Sequence, residues 1–337
     1  MKKKSNTIKR KVTLRDVGEE AGGVSVATVS NVLNNTGSVG DAVKKRVLDA
    51  IEKLNYRPNK TAQAMKTGRT KTLGLVLPDL TNPFFPELAQ SAEEQARKEG
   101  YSVILIDTQG NIETEKKGIQ QLSQYGVDGI LWCPITSNDI LTECAPNIPA
   151  VVIDRPVPNY DSVSSDYISG EKMIAEYVIQ QGHNKIGIAC GPQKLDSAKQ
   201  RMHSFLDCIQ NHADIVWVEE NEYSMTLNQN LKKRALANDV SLIVAGNDLI
   251  AISLMALLME SGLNVPDDIS VIGFDDIPWC SIVSPKLTSI RQPTNQMGRE
   301  AVNTLLRRIE EPEMPKLSVL LDVSLSIRSS VSKKTNK

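Results

Sequence analysis

The stretch from Thr13 to Leu33, TLRDVGEEAGGVSVATVSNVL, constrains the fold most, because two short helical patterns are separated there only by a glycine turn. Thr13 precedes Leu14 and Val17 as an N-cap, and Asp16 follows three residues on, a capping box with Asp in place of Glu or Gln. The first helix is predicted to stop at Gly22-Gly23. Ser25 can cap a second helix in which Val29, Val32 and Leu33 form an apolar stripe, leaving Val26, Ala27, Ser30 and Asn31 on the other side. This pattern reads as a helix-turn-helix. Small neutral side chains suit a DNA major groove, where Asn reads adenine and Ala or Val meets a thymine methyl.

The flanks strengthen that reading. Of 337 residues, the first 70 carry 15 Lys+Arg against 6 Asp+Glu, leaving 24 against 34 in the rest. A basic head on an acidic body implies that the head binds a polyanion and the body does not. Residues 1 to 11 form a basic arm without apolar periodicity, expected to order on phosphate. After the turn cluster NNTGSVG, the segment DAVKKRVLDAIEKL is helical in pattern. Its stripe of Val43, Val47, Ile51 and Leu54 closes a three-helix head, and Lys44, Lys45 and Arg46 are placed for phosphate contact.

Length and a composition of 40% hydrophobic and 23% charged residues suit two or three globular domains. No apolar run reaches spanning length, and MKKKSNTIKRK lacks the apolar centre of a signal peptide, so the expected place is the cytoplasm, with no membrane contact. Cys133, Cys144, Cys190, Cys208 and Cys280 have no CxxC or metal-type spacing and are expected to be reduced, structural thiols. His183, His203 and His212 lack a partner pattern and are expected in surface or capping roles. No metal or cofactor is expected.

From Thr72 the pattern changes to short apolar strands alternating with helices: LGLVL, SVILI, GILWC and PAVVI, then KIGIA, IVWV, LIVA and DISVIGF. This predicts a parallel α/β body in two similar halves, the first ending near Ser165 and the second opened by a helix over 170–181. In such sheets ligands sit beyond the carboxyl ends of strands. Asp79, Asn82, Asp107, Asp154, Arg155, Asn247, Asp248, Asp275 and Gln292 fall there. A single Asp or Asn at a strand end is ordinarily a helix cap, whereas this many together predict a cleft.

The segments VTLRDV, AGGVSVATVSNVLN and RVLDAIEKLNYRPN closely resemble the head of the LacI/GalR family of bacterial sugar-responsive repressors, and the resemblance continues to about Arg328. It implies an α/β protein in four parts. These are a helix-turn-helix head over 1–57, a hinge over 58–71, a two-lobed periplasmic-binding-protein-like body over 72–328 and a tail over 329–337. It also implies that the chain recrosses between lobes near Gln292 and Asp322. The implied DNA-contacting set is Thr13, Ser25, Val26, Ala27, Thr28, Ser30, Asn31 and Met65, the last as a minor-groove wedge at the Leu position of the hinge. Three departures stand out. The family's AGVS turn is one glycine longer here, with Gly23; Gly18 replaces the usual Ala; and Gly40 takes the usual Ser cap position. A mid-helix Gly costs about 0.5 to 1 kcal/mol relative to Ala, so weakened DNA affinity is expected, tightening on deletion of Gly23.

The body resembles ribose repressors and the ribose-binding periplasmic protein. The resemblance implies sugar contacts from Asn82, Phe84, Phe85, Asp154, Arg155, Arg201, Asn247, Asp275 and Gln292. Carboxylate, amide and guanidinium groups suit vicinal hydroxyls, and the Phe rings suit the apolar faces of a sugar. Ser204, where relatives carry Gly, is expected to shift Arg201.

Three functions compete. A DNA-binding repressor controlled by a ribose-like sugar fits head, hinge and cleft together. A transport protein would need a signal peptide and no basic head. An enzyme has only the paired Asp275-Asp276, with no GxGxxG, GxxxxGK[ST] or GxSxG motif. The expectation is the repressor, a homodimer on a palindromic double-stranded operator, not a tetramer, since RSSVSKKTNK has no leucine heptad. If sugar closes the lobes and separates the hinges, Arg201→Ala should lose the sugar response and Met65→Ala the operator.

Overall fold

The computed structural model describes residues 12–57, 64 and 67–334. The basic arm, Met65 and the start of the expected hinge lie outside the described residues. The chain divides into two compact units, 1–68 and 69–337.

The first unit is the head. Helix α1 (Leu14–Glu20) begins on the expected box: Thr13 Oγ1 accepts from Asp16 N, and Asp16 Oδ2 accepts from Thr13 N at 2.7 Å. Helix α2 (Val26–Asn34) is capped by Ser25 and stops at Asn35, which is left-handed at φ 55°. Helix α3 (Asp41–Lys53) starts at Gly40 without a side-chain cap. Val17, Ala21, Val29, Val32, Val47 and Ala50 form the core, and Leu33, Val43, Ile51 and Leu54 pack around it, as the stripes predict.

The second unit holds two six-stranded sheets. The first lobe has β1 (Thr72–Leu77), β2 (Ser102–Asp107), β3 (Gly129–Trp132), β4 (Ala150–Ile153), β5 (Asp161–Ser165) and β11 (Ser318–Leu321), in the order β11-β5-β4-β3-β1-β2 and all parallel. The second has β6 (Lys185–Cys190), β7 (Asp214–Glu220), β8 (Leu242–Ala245), β9 (Ser270–Asp275), β10 (Thr288–Arg291) and β12 (Ser324–Ser326), in the order β12-β10-β9-β8-β6-β7, with only β12 antiparallel. Central strands such as GILW, AVVI and LIVA are buried throughout, because helices cover both faces of a parallel sheet.

In chain order the covering helices are α4 (Phe84–Lys98), α5 (Ile112–Gln124), α6 (Leu141–Cys144), α7 (Tyr167–Gln180), α8 (Asp196–Ile209), α9 (Gln229–Ala235), α10 (Asp248–Glu260) and α11 (Thr294–Glu310). Helix α11 follows strands of the second lobe yet packs on α4 in the first, where Ser91 Oγ donates to Asn295 O at 2.6 Å. The chain therefore crosses between lobes three times, before α7, after Gln292 and between β11 and β12, close to the expected points.

Residues 329–334 of the segment set apart on sequence as a tail are built into the second lobe. Ser330 is fully buried, donating to Val271 O and accepting from Thr288 N. His183 is buried rather than superficial: its Nε2 donates to Ser332 O at 2.9 Å, and its Nδ1 lies 3.0 Å from Ser241 Oγ. Four of the five free cysteines are buried, and Cys208 is partly exposed. No helix among the described residues is long and apolar enough to cross a membrane.

Candidate functional site

The strand ends of both lobes converge on one pocket. Its lining contains all nine residues anticipated from the sequence, Asn82, Phe84, Phe85, Asp154, Arg155, Arg201, Asn247, Asp275 and Gln292, joined by Tyr167, Ser197 and Tyr223. Beside it lies an outer cleft of about 460 Å³ that shares Asn82, Phe85, Arg155 and Tyr223 in its lining. The two lobes also meet where Asp196 N approaches Ser137 Oγ at 3.4 Å.

Asn82 and Asn247 both hold a nearby backbone N–H while lining the pocket, Asn247 as a helix cap. Asn82 Oδ1 accepts from Phe84 N at 3.2 Å, and Asn247 Oδ1 accepts from Ile250 N at 3.0 Å at the start of α10. Capping uses the carbonyl oxygen and leaves the amide NH2 available. Asn247 Nδ2 and Gln292 Oε1 are buried without a hydrogen-bond partner among the described residues. Phe84 and Phe85 stand edge to face at 5.1 Å, giving the pocket an apolar wall.

Asp154, Arg155 and Asp275 are held by neutral neighbours, with Arg155 Nε also 3.5 Å from Asp154 Oδ2. Asp154, left-handed at φ 66°, accepts from the Tyr167 hydroxyl at 2.6 Å, and Arg155 Nη1 donates to Pro134 O at 2.8 Å. Gln292 Nε2 donates to Asp275 Oδ1 at 2.8 Å. Burial, followed by the charge of Asp248, pushes the Asp275 carboxyl well above the usual range, against the pull of Arg201. Burial lowers the Arg201 pKa, but Tyr223, Glu171 and Asp275 together hold it above its ordinary value.

Arg201 is satisfied by protein groups before any sugar binds. Its Nε donates to Glu171 Oε1 at 3.2 Å, its Nη2 donates to Gly246 O at 2.7 Å, and its guanidinium stacks 3.5 Å over the Phe274 ring. Ser204 on α8 does not keep Arg201 from the pocket. Among the strand-end acids, Asp79 and Asp107 close local turns onto Thr81 N and Gln109 N while facing the outer cleft. Asp248 lies behind the pocket, fully buried, accepting from Ile277 N, Cys280 Sγ and Ser289 Oγ. Asp276 turns to Arg291 and Arg328, so Asp275-Asp276 is no shared-proton carboxylate pair. No group of three or more His, Cys, Asp or Glu suited to a metal occurs among the described residues.

Sequence reasoning missed Tyr167, Tyr223 and Glu171. Tyr223 sits in the non-periodic loop NEYSMTLN, where only a Cβ-free Gly191 lets the ring approach: a Cβ there would fall 2.2 Å from Tyr223 Cζ. Glu171 sits one turn into α7, where the spacing gives no hint of a buried ion pair.

On the head, Val26, Ala27 and Asn31 are exposed on α2, and Thr28 and Ser30 are partly so. Thr28 N donates to Ser25 Oγ at 3.1 Å. Lys44 reaches Asn35 Oδ1 at 3.2 Å, while Lys45 and Arg46 stay exposed on α3.

Such a head joined to a two-lobed body with a polar cleft defines a class, the ligand-responsive DNA-binding regulator. Residues 13–59 match the family model "Bacterial regulatory proteins, lacI family", and residues 175–331 match "Periplasmic binding protein-like domain". The chain is 35% identical over 315 residues to the ribose operon repressor of Bacillus subtilis (strain 168), covering 93% of this chain and 96% of that protein. It is 34% identical over 330 residues to the transcriptional repressor PurR of Pasteurella multocida, covering 95% and 98%. In structure it resembles the lac repressor dimer bound to operator and the anti-inducer ONPF, with a TM-score of 0.85, 28% identity, and 96% and 100% coverage. It also resembles a LacI family regulator from Enterococcus faecalis V583 with bound ribose, with a TM-score of 0.71, 30% identity, and 78% and 100% coverage. The chain belongs to the LacI family of bacterial regulatory proteins. It is a DNA-binding transcriptional repressor of that family and not an enzyme.

Proposed function

We propose that the effector is a ribose-like pentose, held by Asn82, Asp154, Arg155, Arg201, Asn247, Asp275 and Gln292 between the Phe84 and Phe85 rings and Tyr223. The carrying observation is the pair of unpartnered buried groups, Asn247 Nδ2 and Gln292 Oε1, one donor and one acceptor, on the wall of the same pocket. A hydroxyl can accept and donate at once, so a polyol satisfies both. Two relatives are named as ribose operon repressors, and two similar structures carry ribose, which supports the pentose. The operator is a palindromic duplex bound by a homodimer in the cytoplasm, read by Val26, Ala27, Thr28, Ser30 and Asn31 with Thr13 and Ser25 at the helix starts and Met65 in the minor groove. Sugar and operator oppose each other through lobe closure, because a ligand acts only by its different affinity for two states.

The test is a thermal-shift series with pentoses, hexoses and purines, followed by retention of operator DNA with each stabilising compound. Ribose should give the largest shift and release the DNA. A purine that stabilised the chain while no pentose did would sink the proposal.

A further inference from the structure

Gly18 and Gly23 look like unrelated departures on sequence. The fold brings them together. Gly23 N and Val24 N both donate to Gly18 O, at 3.1 and 2.9 Å, and Gly22 and Gly23 hold φ of 88° and 80°. The turn therefore folds back over α1 instead of leaving it. This lays the Val24 carbonyl directly on Gly18, which is buried. A Cβ at Gly18 would stand 2.3 Å from Val24 O, 3.4 Å from Val24 C and 3.7 Å from Val29 Cγ2. The obstructing atom is backbone, so an added methyl must move the turn. Gly23, by contrast, faces open space, and only its positive φ asks for glycine.

We infer that Gly18 and Gly23 act as one unit: the side chain missing from Gly18 admits the additional turn residue, and together they set the placement of α2 on α1. Val24 is followed at once by Ser25, whose hydroxyl caps α2 through Thr28 N, and Val29 of α2 touches the same spot. A displaced Val24 thus carries into the first turn of the helix that bears Val26, Ala27 and Asn31. Gly18 is a positioning residue and reads no base itself. For its functional half the inference rests on the head's binding of DNA.

The experiment uses the full chain in four forms: parent, Gly18→Ala, deletion of Gly23, and both changes together. A palindromic fragment selected from random duplexes and an unrelated duplex report specific and non-specific affinity. Protease cleavage within the head reports its folding. Gly18→Ala should weaken the selected fragment by about tenfold while changing the unrelated duplex by less than about threefold. Deleting Gly23 alone pulls the turn off its two hydrogen bonds to Gly18 O and should weaken specific binding too, the reverse of the tightening expected from the sequence. The double form should return to within about threefold of the parent in specific affinity and in protease resistance. Should Gly18→Ala unfold the head, rescue by the second change still decides. Parent-like binding by Gly18→Ala, or a double form no better than Gly18→Ala, would overturn the inference. A parent chain with no preference for any selected fragment would defeat the DNA-binding reading instead, while protease resistance restored in the double form would still support the pair.

Discussion

Glu171 Oε1 lies 3.2 Å from Arg201 Nε inside the second lobe, and the guanidinium so held rests on the Phe274 ring. Both partners are buried, so removing one leaves the other charge uncompensated, at a cost of about 3 to 5 kcal/mol. Arg201→Ala should therefore lose sugar binding and also lower the unfolding temperature of the body, while keeping operator binding at low temperature. Calorimetry with and without ribose checks both. Glu171→Gln, which keeps the shape, should weaken ribose by about tenfold through a less firmly aimed guanidinium. Unchanged ribose affinity in Glu171→Gln would show that the pair only stabilises the lobe.

Asp275 makes effector affinity depend on pH. Sugar hydroxyls donate best to the ionised carboxylate, whereas burial and Asp248 favour its protonated form and Arg201 opposes them. Binding then expels a proton, so ribose affinity should rise with pH through the elevated range and level off once Asp275 is ionised in the free protein. Isothermal titration from about pH 5 to 8 measures the slope. A slope that persisted in Asp275→Asn would assign it elsewhere.

His183 gives the fold an acid limit. Burial first, with Lys334 adding to it and the Ser332 carbonyl opposing, lowers its pKa from 6.5 to about 4. The unfolded chain binds the proton more readily, so stability is complete above pH 6.5 and is lost as pH falls towards 4. At about 1.4 kcal/mol per pKa unit, the loss is on the order of 3 kcal/mol. Denaturant unfolding should show the parent losing stability across that window while His183→Gln stays flat there; an equal loss in both would assign the acid limit to another group.

Asn31→Ala should relax base preference and leave non-specific binding nearly intact, since Asn31 is exposed on α2 and phosphate contact falls to Lys and Arg. Binding of the parent should fall steeply between about 50 and 200 mM salt. Affinity for the unrelated duplex that dropped as much as that for the selected one would place Asn31 on the backbone rather than on a base.

The head was legible because capping pairs and apolar stripes are local: Thr13 with Asp16, Ser25 with Thr28, and the Val29-Val32 stripe need only the neighbouring residues. The nine cleft residues were legible through strand ends combined with family resemblance. What stayed hidden depends on distant partners. β5 reads DSVSS and looks like a loop, yet Asp161, Ser162, Ser164 and Ser165 are buried, with Arg308 of α11 paired to Asp161 at 2.8 and 2.9 Å. Tyr223 and Glu171 owe their places to Gly191 and Arg201, and no spacing announces either partnership. Gly18 and Gly23 were visible as departures, but their compensation was not, since it depends on where the Val24 carbonyl comes to lie.

The order of strands also sets a schedule for synthesis. The head ends before Gly68 and is complete early, whereas the first lobe's edge strand β11 comes only from residues 318–321, beside β5 at 161–165. Until the ribosome has delivered almost the whole chain, β5 presents an unpaired parallel edge, the kind of surface that recruits other nascent strands. The lobes are finished nearly together, at the last crossing. A message cut short late in the gene would thus leave a head able to seek DNA on a body unable to close on a sugar.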